Sequence, residues 1–251
     1  MSILRYKFFC MQFYFPLDNS YNPLYGKIGK AIKDLYPIGI ENDADEYNEY
    51  LGIKKITDLI QENFSANAKS FKPWKDFIKK LKVGKYKKIS SSNSMPLDVA
   101  FSGEIILDRY DDASLLRIKR LTFSVSRIAP FFVIYGVDET FIKDEMRPEV
   151  FGYGAINVIT ESPYGEFKYA FDFIADSITE HFPDHDFIPI RTSLLQVEGL
   201  HTKSSHLKNC RVHNALFNDV FDFYDVKHFR GDMFFGSGSS NVSVKFGPPK
   251  L

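Results

Sequence analysis

Cysteine is nearly missing from this chain. Its 251 residues include only Cys10 and Cys210, so no disulfide framework holds the fold, and one long-range bridge or two separate thiols are the alternatives. Long apolar runs are missing as well. The stretch from Phe8 to Phe15 is short, is broken by Gln12, and leads into Pro16 and Asp18; it reads as an aromatic strand, not as a signal peptide or a membrane span. Net charge is absent, with 32 Lys+Arg against 32 Asp+Glu, so no overall field draws the protein to nucleic acid or to a membrane. Catalytic signatures are absent too. There is no G-x-S-x-G elbow and no G-x-G-x-x-G between a strand and a helix, and the Gly-Ser-rich residues 236–241 lack the lysine and helix that complete a phosphate loop. These absences predict a cytoplasmic protein with no membrane contact and no cofactor signature.

What is present is an ordinary globular composition, 44% hydrophobic, with an unusual aromatic load of 25 Phe and 14 Tyr. Before about residue 90 the apolar positions recur at three and four. Leu24, Ile28, Ala31, Ile32 and Leu35 form one helical stripe after Asn22 and Pro23. Asp43 and Glu46 form a capping-box pattern for a short helix that Gly52 would end, Ile53, Ile56 and Ile60 continue the spacing, and Phe71, Trp74, Ile78 and Leu81 mark a helix over 71–82. From about Leu97 the period becomes two. Residues 97–108 and 115–126 alternate, 131–135 is apolar on both faces, and 155–160 and 187–197 read as further strands, with a hairpin over 233–246. Between them, Phe167, Ala170, Phe171, Ile174, Ile178 and Phe182 give the strongest amphipathic helix, at 163–182, stopped by Pro183. The expected architecture is one α+β domain over 1–251: a helical N-terminal region, conceivable as a lobe over 17–90, and a mainly antiparallel sheet of about five to six strands in 95–251, packed by the helix at 163–182.

Three residue groups carry the candidate chemistry. The zero net charge hides halves of opposite sign, since residues 1–125 hold 20 Lys+Arg and 15 Asp+Glu while residues 126–251 hold 12 and 17. The acidic half places Asp172, Asp176 and Glu180 four apart on one helix face, with Asp184 and Asp186 just beyond, a surface suited to a basic protein partner. The basic half concentrates nine lysines and one acid in 69–88, including Lys72, Lys75, Lys79, Lys80 and Lys82. Interleaved aromatics make a nucleic-acid backbone the alternative partner there, disfavoured because Lys outnumbers Arg and the rings fall on the core side. All six histidines fall within 48 positions, and His201, His206, Cys210 and His213 combine the ligand types that zinc selects, which would support a metal-dependent hydrolase using residues 172–213. Glu166-Phe167-Lys168 resembles the E-x-K element of metal-dependent nucleases, which those enzymes carry on a strand after an upstream Asp, whereas here it begins a helix. The favoured expectation is a non-enzymatic protein-binding module that needs no cofactor, with an acidic, aromatic surface. In character it is similar to the immunity proteins that neutralise bacterial toxins.

Overall fold

The structure is a computed structural model that describes residues 14–19, 21–64, 71–83, 86, 88–92, 97–144, 151–203, 205, 209–218 and 226–236. Helix α1 (Pro23–Leu35) starts where the sequence says it should: the Asn22 side chain accepts from the backbone N–H of Leu24 and Tyr25, and proline sits in the first turn. It ends at Tyr36, since Pro37 cannot continue it. Helix α2 (Asp45–Glu49) is shorter than its pattern implied. It follows Ala44, whose side chain caps nothing, so the Asp43 and Glu46 capping box does not form. Gly52 does not end a helix either; it lies in the first turn of α3 (Leu51–Asn63). The reason is contact: a Cβ at Gly52 would lie 2.3 to 2.5 Å from the backbone of Leu35, so the glycine lets α1 and α3 touch. Helix α4 (Lys72–Val83) buries Trp74, Phe77, Ile78 and Leu81 and turns its lysines outward.

The sheet is a meander. Strands β1 (Ile89–Ser92), β2 (Ala100–Asp111), β3 (Leu115–Ser126), β4 (Phe131–Lys143) and β5 (Phe151–Thr160) pair antiparallel in that order. Two short parallel strands complete it, β6 (Asp186–Phe187) on the start of β4 and β7 (Phe229–Arg230) on the end of β5, giving seven strands among the described residues. The fold is therefore α+β with a mostly antiparallel sheet, and β1, β6 and β7 are too short to show a period in the sequence. The region 187–197, read as strand, instead bends after β6 into the single turn α6 (Ile190–Ser193) behind Pro189. A short apolar run does not distinguish strand from helix by periodicity alone. Further on, α7 (Val212–Leu216) is the described part of the segment expected near 214–224; of the hairpin expected over 233–246, residues 237 onward lie outside the described residues.

Central strand β4 separates two cores. Phe131, Val133, Tyr135 and Val137 face α1, α2, α3, α6 and α7, while Phe132 and Ile134 face α4 and α5 (Lys168–His181). The helices before the sheet are thus divided between its faces: α1 to α3 cover one, and α4 joins α5 on the other. In the second core Trp74 stacks on Phe101 with ring centroids 5.3 Å apart and 8° between planes, touches Phe77 and Phe123, and donates its indole N–H to Ser91 Oγ at 2.9 Å. As the helix expected at 163–182, α5 buries Ala170, Phe171, Ile174 and Ile178 after a 3₁₀ turn over Gly165–Phe167. Gly136 beneath it has no room for a side chain, because a Cβ there would meet Phe167 Cδ1 at 2.4 Å. Among the described residues no helix is long and apolar enough to cross a membrane.

Because the obstacle at Gly52 is backbone and cannot rotate away, Gly52→Ala is expected to lower the unfolding free energy by about 1 to 3 kcal/mol, the usual cost of overpacking, in a urea titration. An unchanged midpoint would show that α1 and α3 can separate at no cost.

Candidate functional site

The acidic and basic helices predicted as separate surfaces are neighbours. With its apolar stripe buried, α5 turns Asp172, Asp176 and Glu180 outward. Lys168 pairs with Asp172 at 2.7 Å, Lys80 of α4 reaches Glu180 at 2.7 Å, and Lys27 of α1 reaches Asp186 at 2.6 Å. The Lys80 ammonium, through its hydrogen bond first and its charge second, holds the Glu180 carboxyl below the usual range. Exposed Asp176 and Asp184 have no ion pair among the described residues. Lys72, Lys75, Lys79, Lys80 and Lys82 all stand on the solvent side of α4, while Phe71, Trp74 and Phe77 are buried and offer no stacking surface to a base. Opposite charges on adjacent helices thus offset one another locally, with each exposed pair contributing little to stability.

The histidine-rich stretch does not lie in one environment. Cys210 is fully buried, with Sγ 3.4 Å from Thr202 Oγ1. His213, on α7, is buried against Phe217, with Nδ1 3.4 Å from Ser193 Oγ. His201 is half-buried, and its backbone carbonyl accepts from the Tyr47 hydroxyl at 3.0 Å. His206 lies outside the described residues, as does Cys10. Among the described residues no group of three or more His, Cys, Asp or Glu side chains is arranged to hold a metal ion. His181 works at the α4–α5 seam, with Nε2 3.1 Å from the Pro73 carbonyl oxygen and its ring against Phe77 and Phe182.

The E-x-K tripeptide splits. Lys119 of β3 takes Glu166 at 2.8 Å, and Lys168 turns away to Asp172. Glu166 belongs instead to a polar belt on the α5 face of the sheet. Arg117 grips Asp138 through two hydrogen bonds, of 2.9 Å from Nε and 2.5 Å from the terminal nitrogen, and Asn157 donates to Asp138 at 3.1 Å and to Thr140 at 2.8 Å. Burial alone would raise the Asp138 carboxyl, yet the hydrogen bonds from Arg117 and Asn157, with the Arg117 charge, outweigh it and hold the group below the ordinary carboxylate value. Asn157 reaches in because the β4–β5 register slips there, leaving it as the extra residue between Val158 and Ile156.

Past this belt the long strands run on beyond the helices. Arg109 to Asp111, Arg117, Ile142 and Phe151 to Gly154 are exposed, and with them several large side chains: Tyr110 at 56%, Ile142 at 52%, Phe151 at 48% and Tyr153 at 63% of full exposure. Cross-strand register places Tyr110 opposite Arg117, Arg117 opposite Thr140, and Ile142 opposite Tyr153, so Tyr110, Ile142 and Tyr153 share one face with the belt. Phe151 lies on the other face against Phe141, with ring centroids 5.1 Å apart. Sequence reasoning missed these residues. It stopped the central strand at Tyr135, and the signal that could have extended it was the run of strand-favouring residues past Gly136, namely Val137, Thr140, Phe141 and Ile142.

Burial also sets a pH dependence. Desolvation, reinforced by the nearby Arg211 charge, pushes the His213 imidazole down to about 3 from its ordinary 6.5. A depressed value means the folded state holds the neutral ring, so the stability it contributes is present above 6.5 and is lost as pH falls toward 3, by about 1.4 kcal/mol per pH unit. His213→Gln is therefore expected to flatten the fall in urea-derived stability across that window relative to the parent. Parallel slopes would show that the ring is not neutral by burial.

Compared with known proteins, the chain matches no family model, no curated protein and no solved structure.

Proposed function

We propose that the chain is a non-enzymatic protein-binding module whose contact surface is the projecting end of the sheet. One observation carries the reading: Tyr110, Ile142 and Tyr153 stand exposed together on one face, beside the half-exposed Arg117. Tyrosine and arginine are the side chains that most often anchor interfaces, and an aromatic ring mounted on a strand loses little freedom on docking. The mount itself is stiff, since two hydrogen bonds lock Arg117 to Asp138 and Asn157 braces the same carboxylate. The partner reading thus moves from the acidic helix, where three of the five carboxylates already hold lysines, to the aromatic end of the sheet. Its narrower form, an immunity-like protein neutralising a basic toxin, requires the acidic helix to take part.

Chemical cross-linking of the tagged chain in its native lysate, followed by mass identification, tests this. A specific partner is expected to be captured by the parent and by the Asp172→Lys, Asp176→Lys variant, and lost by the Tyr110→Asp, Ile142→Asp variant with unchanged circular dichroism. The reverse pattern would return the interface to α5 and favour a basic partner; retention by both variants would remove the sheet end from the interface.

A further inference from the structure

Strand β5 is bonded along one side by β4 over Gly136 to Lys143. Along its other side β7 pairs with Ile159 and Thr160 and the 3₁₀ turn Val226–His228 before it also lies against the strand, so among the described residues Phe151 to Val158 pair with no strand on that side, and Phe151 to Gly154 are exposed. Unpaired edges are templates for another strand, and proteins normally blunt them with charge, proline or shortness. The opposite edge of this sheet is short, since β1 has four residues. The β5 edge carries neither charge nor proline, for Phe151–Thr160 reads FGYGAINVIT. Register slips at Gly152 and Asn157 leave Tyr153 to Ile156 as its uninterrupted stretch.

We infer that this stretch pairs antiparallel with the same edge of a second copy of the chain. An uncharged edge fits an uncharged strand, and the chain's own zero net charge sets up no long-range repulsion between copies. Side-chain size agrees. A two-fold axis through Gly154 sets Tyr153 of each copy opposite Ala155 of the other, large against small, on the face where Ile142 already flanks Tyr153. On the other face the Phe141 ring lies over Gly154, 3.0 Å from where a Cβ would stand, so the glycine's missing side chain leaves no hole. The two sheets become one across the axis, and the exposed Tyr153 ring is covered. The inference adds a second copy at the sheet edge to the partner surface on the sheet face, and Tyr153, which shares that face with Tyr110 and Ile142, is common to both.

Analytical ultracentrifugation of the full chain over a wide concentration range is expected to show a monomer–dimer equilibrium. Tyr153→Lys with Ala155→Lys places like charges opposite one another across the axis and is expected to leave a folded monomer, as is Tyr153→Glu with Ala155→Glu. Mixing the two variants is expected to restore a dimer, an outcome that simple misfolding cannot produce. A parent that stays monomeric throughout, a dimer untouched by the double lysine variant, or a mixture that remains monomeric would each overturn the proposal. Capture of a different protein is read separately, with the Tyr110→Asp, Ile142→Asp variant, so either reading can fail without the other.

Discussion

The arrangement depends on β4 being apolar on both faces. From Phe131 to Val137 every residue of this strand is buried, with side chains alternating between two cores, and an antiparallel strand of that kind is stable only if helices cover both sides. The N-terminal helices meet one demand and α4 with α5 the other. Chain order follows from this. After α3 the polypeptide crosses to the opposite face as α4 before it enters the sheet, and after β5 it returns on that face as α5 before α6 and α7 close the first core.

Where β4 leaves the helices, its sequence turns from apolar to Asp138-Glu139, one carboxylate to each face. Each meets an arginine of β3: Arg117 for Asp138, and Arg120 for Glu139 at 2.5 Å. The two environments differ. Burial dominates at Glu139 and pushes its carboxyl up despite Arg120, whereas the paired hydrogen bonds of Arg117 win at Asp138. These pairs mark the boundary between the covered sheet and its projecting end. Breaking either one would strand a charge in a poorly hydrated place, a cost that favours keeping the strands in register there.

Much of the fold was legible because long elements repeat their period often. The stripe of α5, the Asn22 cap of α1, and the alternation of β2 and β3 are each decided by residues close in sequence. What failed was decided by distant contacts. Gly52 looks like a stop but is a point where two helices touch, and the Asp43–Glu46 pattern had no helix start at the right place to cap. Site reasoning met a similar limit. Spacing put Asp172, Asp176 and Glu180 on one face correctly, yet nothing local shows that Lys80, a hundred residues earlier, lies against Glu180. In the same way Tyr110, Ile142 and Tyr153 are single unremarkable residues in three strands, and only register joins them.

The chain's single tryptophan sits wholly within the core beneath α4, stacked on Phe101, and no tryptophan lies on the α1–α3 side. Its emission is therefore a one-sided optical probe. It will register loosening of the α4 layer while remaining blind to the opposite layer, so a denaturation curve followed by intrinsic fluorescence and one followed by backbone ellipticity coincide only when the two halves of the interior melt together.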